Sequence, residues 1–157
     1  MATIAATADV SKALLHYHYA DRASLLAEVV AQLSRRIVAR ERAAMNAASG
    51  SGAVDALWTW LDAELARGEL RTLLELGMLR EPAVQAACAD AALARCRAAD
   101  ETVEQLFTGL GLVPRMPSKL LATASMAFVN GLAIDAERRD PRTSFDVFWL
   151  ALLSLAE

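Results

Sequence analysis

Apolar positions recur every three or four residues along most of the chain, the spacing of one face of an α-helix. Leu25, Val29, Leu33 and Ile37 repeat every four residues, with Leu26, Val30 and Val38 beside them. This stripe predicts one amphipathic helix from Asp21 to about Ala48. Its other side carries Arg35, Arg36, Arg40 and Arg42, read as a solvated face. Ser49-Gly50-Ser51-Gly52 breaks the pattern. Val54, Leu57, Trp58, Leu61 and Leu65 then line one face of a helix from Ala53 to Arg67, with Trp60 on the flank and Gly68 ending it. A shorter helix is expected from Glu69 to Leu79, weakened by Gly77 inside it. Pro82 suits the first position of the next helix, where a missing N–H costs nothing. That helix should run to about Leu110, with Val84, Cys88, Leu93, Val103, Leu106 and Phe107 along it. Asp90, Arg95, Arg97, Asp100, Glu101 and Glu104 should face water. Gly109 to Pro114 stops it.

Two further segments are apolar nearly all round. One spans Pro117 to about Arg138, and the other follows Asp140-Pro141, with Thr143 and Asp146 spaced as a capping pair. A helix that is apolar all round must be covered all round. One chain of this size covers one side, and a second copy is expected to cover the other as a four-helix bundle. Phe128, Leu132, Phe145, Phe148, Trp149 and Leu152 are the expected dimer contacts.

The amino-terminal stretch has a different character. Ile4 to Thr7 read as the tail of a helix, Ala8-Asp9-Val10 as a turn, and Ser11 as the cap of a second short helix. Asp9 suits the turn because Asp tolerates left-handed dihedrals. Asp21 caps the long helix that follows. At 3.6 residues per turn, Lys12, Ala13, His16 and Tyr17 share one side of the short helix. Leu14, Leu15 and His18 share the other, with Tyr19 at its edge. A helix that reads DNA needs that division: an apolar face against its scaffold, and a polar face in the major groove. Lys12 reaches a phosphate or a guanine edge, and Ala13 is small enough to meet a thymine methyl. His16 and Tyr17 can donate to phosphate oxygens.

The run V-S-K-A-L-L-H-Y-H-Y-A-D-R-A-S-L-L, Val10 to Leu26, resembles the signature of the tetracycline-repressor-like (TetR) family of transcriptional regulators. Val10, Ser11, Lys12, Ala13, Leu15, Tyr17 and His18 match the family pattern as they stand. His16 replaces a commoner tyrosine, Tyr19 a phenylalanine and Arg22 a lysine, and Asp9 departs from the usual turn glycine. The resemblance implies an all-α fold: an N-terminal helix-turn-helix (residues 1–27) joined to a helical ligand-binding and dimerisation domain (residues 28–157). It implies DNA contacts from Lys12, Ala13, His16, Tyr17, His18 and Arg22. The family's first helix has no counterpart before Met1, so the helix-turn-helix is expected to be incomplete. Ile4, Leu14, Leu15 and Leu25 are then expected to lack a partner surface and DNA binding to be weakened. The implied function is a ligand-responsive repressor that binds a double-stranded DNA operator as a homodimer. An apolar small molecule would enter a pocket lined by some of Trp58, Leu61, Met78, Phe107, Met126 and Asn130. Asn130, a lone polar residue in an apolar stretch, bonds either that molecule or a neighbouring helix, the second being the commoner fate of a buried amide. The alternative is a helical small-molecule-binding or dimerisation module that has lost DNA binding.

Composition narrows this picture. Of 157 residues, 55% are hydrophobic, while only seven Gly and four Pro punctuate the chain, which favours helix throughout. The net charge of −3 is uneven: residues 1–48 carry six Lys/Arg against four Asp/Glu, and the remainder ten against fifteen. Only the amino-terminal part is therefore a candidate for meeting a polyanion. Cys88 and Cys96, eight positions apart on one helix, sit about 12 Å apart along its axis, too far for a disulfide. They are expected to be reduced and buried, which suits a cytoplasmic protein. Phe145 to Ala156 is too short to cross a bilayer, and Leu120 to Ile134 is short and broken by polar residues, so no membrane partner is expected. His16 and His18, two apart on a helix, cannot share a metal as an i, i+4 pair does. Neither a Cys-x-x-Cys pair, a phosphate-cradling glycine loop nor a serine nucleophile in a Gly-x-Ser-x-Gly setting is present. Enzyme activity, a metal and a cofactor are accordingly not expected.

Overall fold

The computed structural model describes residues 1–135 and 140–157. Regular structure among them is helical: α1 (Ala2–Thr7), α2 (Lys12–His18), α3 (Arg22–Asn46), α4 (Gly52–Arg67), α5 (Glu69–Leu76), α6 (Pro82–Leu110), α7 (Ser118–Asp135) and α8 (Pro141–Leu153). An isolated antiparallel bridge between Pro114 and Ala156 ties the loop after α6 to the segment after α8. Val113 and Glu157 exchange both backbone hydrogen bonds there, at 3.0 Å each. The fold is all-α, as the periodicity requires.

Local chemistry sets the boundaries. Pro82 opens α6 as expected. Gly68 closes α4 and opens α5 with φ +70°, a conformation that glycine adopts without steric cost. Gly77 ends α5 rather than lying inside it: the helix stops at Leu76, and the Gln85 side-chain amide donates to the Gly77 and Leu79 carbonyls. The start of α8 also differs from expectation. Asp140 is the cap, its carboxylate accepting from the Arg142 N–H at 3.0 Å and from the Thr143 hydroxyl at 2.5 Å. These bonds, Thr143 foremost, hold the Asp140 carboxyl below its ordinary value. Asp146 instead accepts from Arg142. The expected extension of α7 to Arg138 lies outside the described residues.

The core lies between α3, α6 and the helices flanking them. α6 packs most extensively on α3 and next on α7. Val30, Leu33 and Ile37 of α3 meet Val84, Val103 and Leu106 of α6 in one cluster with Leu121, Phe145 and Trp149. This explains α3 well: its four-residue stripe faces α6. By contrast, among the described helices α1 and α2 come into close backbone contact only with each other.

The arginine face of α3 is not simply solvated. Arg40 is tied to Glu64 through Nε and a terminal nitrogen at 2.5 and 2.7 Å, and to Glu69 at 2.6 Å. Glu64 is fully buried and also accepts from Arg67 at 3.1 Å. Arg35 pairs with Glu28, Arg36 with Glu69, and Arg42 with Glu101 in two parallel bonds. The reason is tertiary. α4, α5 and α6 bring acidic residues alongside α3, so a face that looks solvent-directed on an isolated helix becomes a seam.

Candidate functional site

Two regions carry the candidate chemistry, and the first is the amino-terminal bend. Asp9 takes φ +52°, the left-handed turn anticipated for it, and the Val10 N–H donates to the Ala5 carbonyl at 3.0 Å. The Ser11 hydroxyl accepts from the Leu14 N–H at 3.0 Å, capping α2. Asp21 and Ser24 form a reciprocal capping box at the start of α3, which lowers the Asp21 carboxyl's pKa. Lys12, Ala13, His16, Tyr17 and His18 are all exposed, Tyr17 at 84%. The Tyr17 and His18 rings meet edge to face at 5.0 Å. Among the described residues Lys12 makes no ion pair, whereas the other five basic residues of positions 1–48 each do. Among the described residues, it is therefore the cation of this region free to meet an anion.

Arg22 differs from the rest of that set. It donates to Glu81 at 3.1 Å, because the first residue of α3 lies beside the residue that precedes α6. The apolar residues of the region also divide. Leu25 is buried, so the expectation that it lacks a partner is overturned, although it lies outside the main core cluster. Ile4 and Leu15 are half-buried and Leu14 is 46% exposed. No residue of α2 is fully buried.

The second region is a cavity of about 40 Å³ inside the helical body. Phe128, Phe145, Phe148 and Trp149 of α7 and α8 form an aromatic wall, with Phe128 and Phe148 stacked in parallel at 4.2 Å. Leu57, Trp60 and Leu61 of α4 close another side. Glu41, Arg95, Thr102 and Ser125 supply polar groups, each buried. Thr102 donates to Glu41 at 2.9 Å. Ser125 donates to the Leu121 carbonyl on its own helix. Arg95 donates to the Asn130 side-chain carbonyl at 2.8 Å, and no carboxylate lies within ion-pairing distance of it among the described residues. Burial raises the Glu41 carboxyl above its ordinary value, opposed by the Thr102 bond and the Arg95 charge. Burial lowers Arg95, opposed by Glu41. The Trp60 indole N–H is buried with no acceptor among the described residues.

The expected ligand residues are only partly brought together. Leu61 and Met126 line the cavity. Met78 and Asn130 line a separate groove between α5, α6 and α7, for which Arg95 and Met126 are the shared partition. Met78 is 82% exposed, because it follows the end of α5 instead of facing inward from it. Trp58 lies on the flank, against Phe145 and under the Arg142 guanidinium, while Trp60 holds the inward position; the two tryptophans exchange their expected places. Phe107 is buried beneath a different surface groove near Pro114. Arg95, expected in water, is buried. Cys88 and Cys96 are free thiols but only half-buried.

The expected dimer contacts divide in the same way. Leu132, Phe145, Trp149 and Leu152 are turned into the chain's own core, and Phe128 and Phe148 are half-buried at the cavity. The apolar side chains that α7 and α8 leave exposed are Leu120, Ile134, Val147 and Leu150. The dimer assignment of the four core residues is thus corrected: one chain already covers that face.

Sequence reasoning missed Glu41, Trp60, Arg95, Thr102 and Ser125. A signal was present for two of them. Glu41 continues the Leu33–Ile37 repeat to Met45, and Arg95 lies four residues from both Ala91 and Ala99. A charge on an apolar stripe marks a buried polar site.

No family model and no curated protein matches this chain. Among the described residues no cluster of His, Cys, Asp or Glu is placed to hold a metal, and no helix is long and apolar enough to cross a membrane.

Proposed function

We propose that the chain is a DNA-binding transcriptional regulator of the tetracycline-repressor-like kind, working as a homodimer in the cytoplasm and answering to a small molecule bound in the core cavity. The observation that carries the reading is the amino-terminal bend. A left-handed turn at Asp9 and a Ser11 cap leave Lys12, Ala13, His16 and Tyr17 exposed together on one side of α2. That is the polar face a reading helix needs; its apolar face, Leu14 and Leu15, is only partly covered. The unpaired Lys12 suits a phosphate or a guanine edge. The exposed apolar side chains Leu120, Ile134, Val147 and Leu150 support pairing of two copies through α7 and α8, which sets two reading helices on one duplex. The cavity supports the ligand response. A ligand that favours a conformation in which those helices no longer fit successive grooves releases DNA, and full release from a 99:1 population needs ~5.5 kcal/mol of differential affinity.

The test is selection of duplexes from a random pool, followed by anisotropy titrations over a range of salt. Lys12→Ala with Tyr17→Phe should weaken binding to the selected duplex by at least tenfold. It should also reduce the salt slope by about one for each Lys12 removed. Both side chains are exposed, so the variant should melt like the parent. Unchanged affinity and slope would remove α2 from the reading role.

One observation favours a second reading, a ligand-binding module that does not touch DNA. No residue of α2 is fully buried, and α2 packs closely only on α1. On that reading no duplex is enriched in the selection, while ligand binding persists.

A further inference from the structure

We infer that the molecule bound in the core cavity is a small aromatic acid, its carboxylate seated on Arg95 and its ring against the Phe128–Phe148 wall. The inference rests on the reading of the cavity as an effector site, and it concerns the chemistry of the effector.

Three observations lead to it. Arg95 is a buried guanidinium with a neutral partner, the Asn130 amide. A guanidinium carries five N–H donors and stays charged in proteins, so one neutral acceptor leaves most of its capacity unused. A buried charge is costly unless paired, and the nearby Glu41 carboxyl acts on Arg95 only from beyond ion-pairing distance. A carboxylate would take two parallel bonds from it, in place of the single bond to the amide. The second observation is Trp60, whose buried indole N–H has no acceptor among the described residues and whose ring borders the same cavity. An indole N–H only donates, so this side of the cavity also asks for an acceptor. The third is the wall. Phe128, Phe145, Phe148 and Trp149 offer faces and edges to a planar ring.

Glu41 sets the competing possibility, a cationic ligand. It borders the cavity, and no arginine or lysine lies within ion-pairing distance of it among the described residues. The two charges are not equivalent, however. A buried carboxyl escapes its desolvation cost by keeping a proton, and Glu41 is pushed in that direction by its burial. Glu41 also already accepts from Thr102, whereas Arg95 holds one neutral acceptor and has donors to spare. The group left wanting a partner is the guanidinium, and it selects an anion.

Size limits the ligand as well. The space of about 40 Å³ holds a few waters and must widen to admit a ring. The half-buried Met126, Phe128 and Phe148 are the side chains placed to yield. Arg95 and Met126 separate the cavity from the neighbouring groove of about 210 Å³, so movement of Met126 would join the two.

The experiment is calorimetry and thermal shift on the full chain, without DNA, using benzoate, benzamide and benzylammonium as one-ring probes of matched shape. A hydrogen bond to a charged group is worth about 1.5–3 kcal/mol, so benzoate should bind about 10- to 150-fold more tightly than benzamide. Benzylammonium should be weakest. Arg95→Gln should bring benzoate to the benzamide level while leaving benzamide nearly unchanged. Trp60→Phe should weaken benzoate without unfolding the chain. Benzylammonium binding as tightly as benzoate, a charge preference that survives Arg95→Gln, or no binding by any probe would each overturn the inference. The ligand series on the parent protein decides the matter even if Arg95→Gln fails to fold. A chain that binds benzoate selectively but enriches no duplex loses the regulator reading and keeps this one. A chain that reads DNA but ignores benzoate does the reverse.

Discussion

Replacing Arg40 by methionine should destabilise this fold more than a surface charge deletion does. Glu64 has no exposed surface, and its carboxylate is gripped by Arg40 through two bonds of 2.5 and 2.7 Å. The same contact, first of all, raises the Arg40 pKa above its ordinary value. Arg40→Met leaves Glu64 buried with Arg67, whose side chain is 47% exposed. Breaking a buried pair from one side costs ~3–5 kcal/mol, because a charge is left without compensation. The remaining Arg67 contact places the expected loss near the lower figure. For a chain of this length, 1 kcal/mol moves the midpoint by about 2–4 °C, so ~3 kcal/mol lowers Tm by about 6–12 °C. Glu69 keeps Arg36 at 3.2 Å and adds little to the loss. The decisive comparison is Arg40→Met with Glu64→Leu in the same chain, which removes both charges. That double variant should recover to within about 1 kcal/mol of the parent. Urea unfolding of the two single variants and the double, at one protein concentration, gives the coupling. A loss under 1 kcal/mol for Arg40→Met, or a double variant as unstable as Arg40→Met alone, would refute the argument.

Glu41 gives a pH signature of opposite kind to acid denaturation. Its folded-state pKa is raised above the ordinary 4.5 by burial, so its stabilising share is complete below 4.5 and is lost as pH rises through the raised value. Melting curves from acid to neutral buffer should show the parent losing stability relative to Glu41→Gln across that window and not below it. On α8, Leu150→Lys and Leu152→Ala should separate outside from inside. Leu150 is 70% exposed, so its replacement should dissociate a dimer in sedimentation while changing the monomer's stability by no more than about 0.5 kcal/mol. Leu152 is 4% exposed, and its truncation should cost ~2–5 kcal/mol in urea unfolding. Gly68→Ala should lose about 1–2 kcal/mol, since φ +70° is strained for alanine although its Cβ meets nothing within 4 Å.

What could be read from the residues alone was whatever depends on neighbours three or four positions away. Helix periodicity, the Ser11 and Asp21 caps, the Asp9 turn, Pro82 and Gly68 are all local, and local chemistry suffices to place them. Asn130 could be assigned to a partner within the protein by the general cost of an unpaired buried amide, and its bond to Arg95 agrees. The cavity was only half visible. Leu61 and Met126 lie on it, but Trp58, Phe107 and Met78 do not, because a residue's place on a helix face does not say which other helix meets that face.

Charge was the least legible property. An arginine or glutamate is solvated on an isolated helix, and only the approach of α4, α5 and α6 to α3 buried Glu64 against a half-buried Arg40 and drew Arg95 and Glu41 beside a cavity. The same holds for α7 and α8, where hydrophobicity all round demands cover without saying who provides it. The chain alone determined that these segments are helices with greasy surfaces. The tertiary structure decided which surfaces the chain covers itself, because burial is a property of contacts between distant segments and not of any one of them.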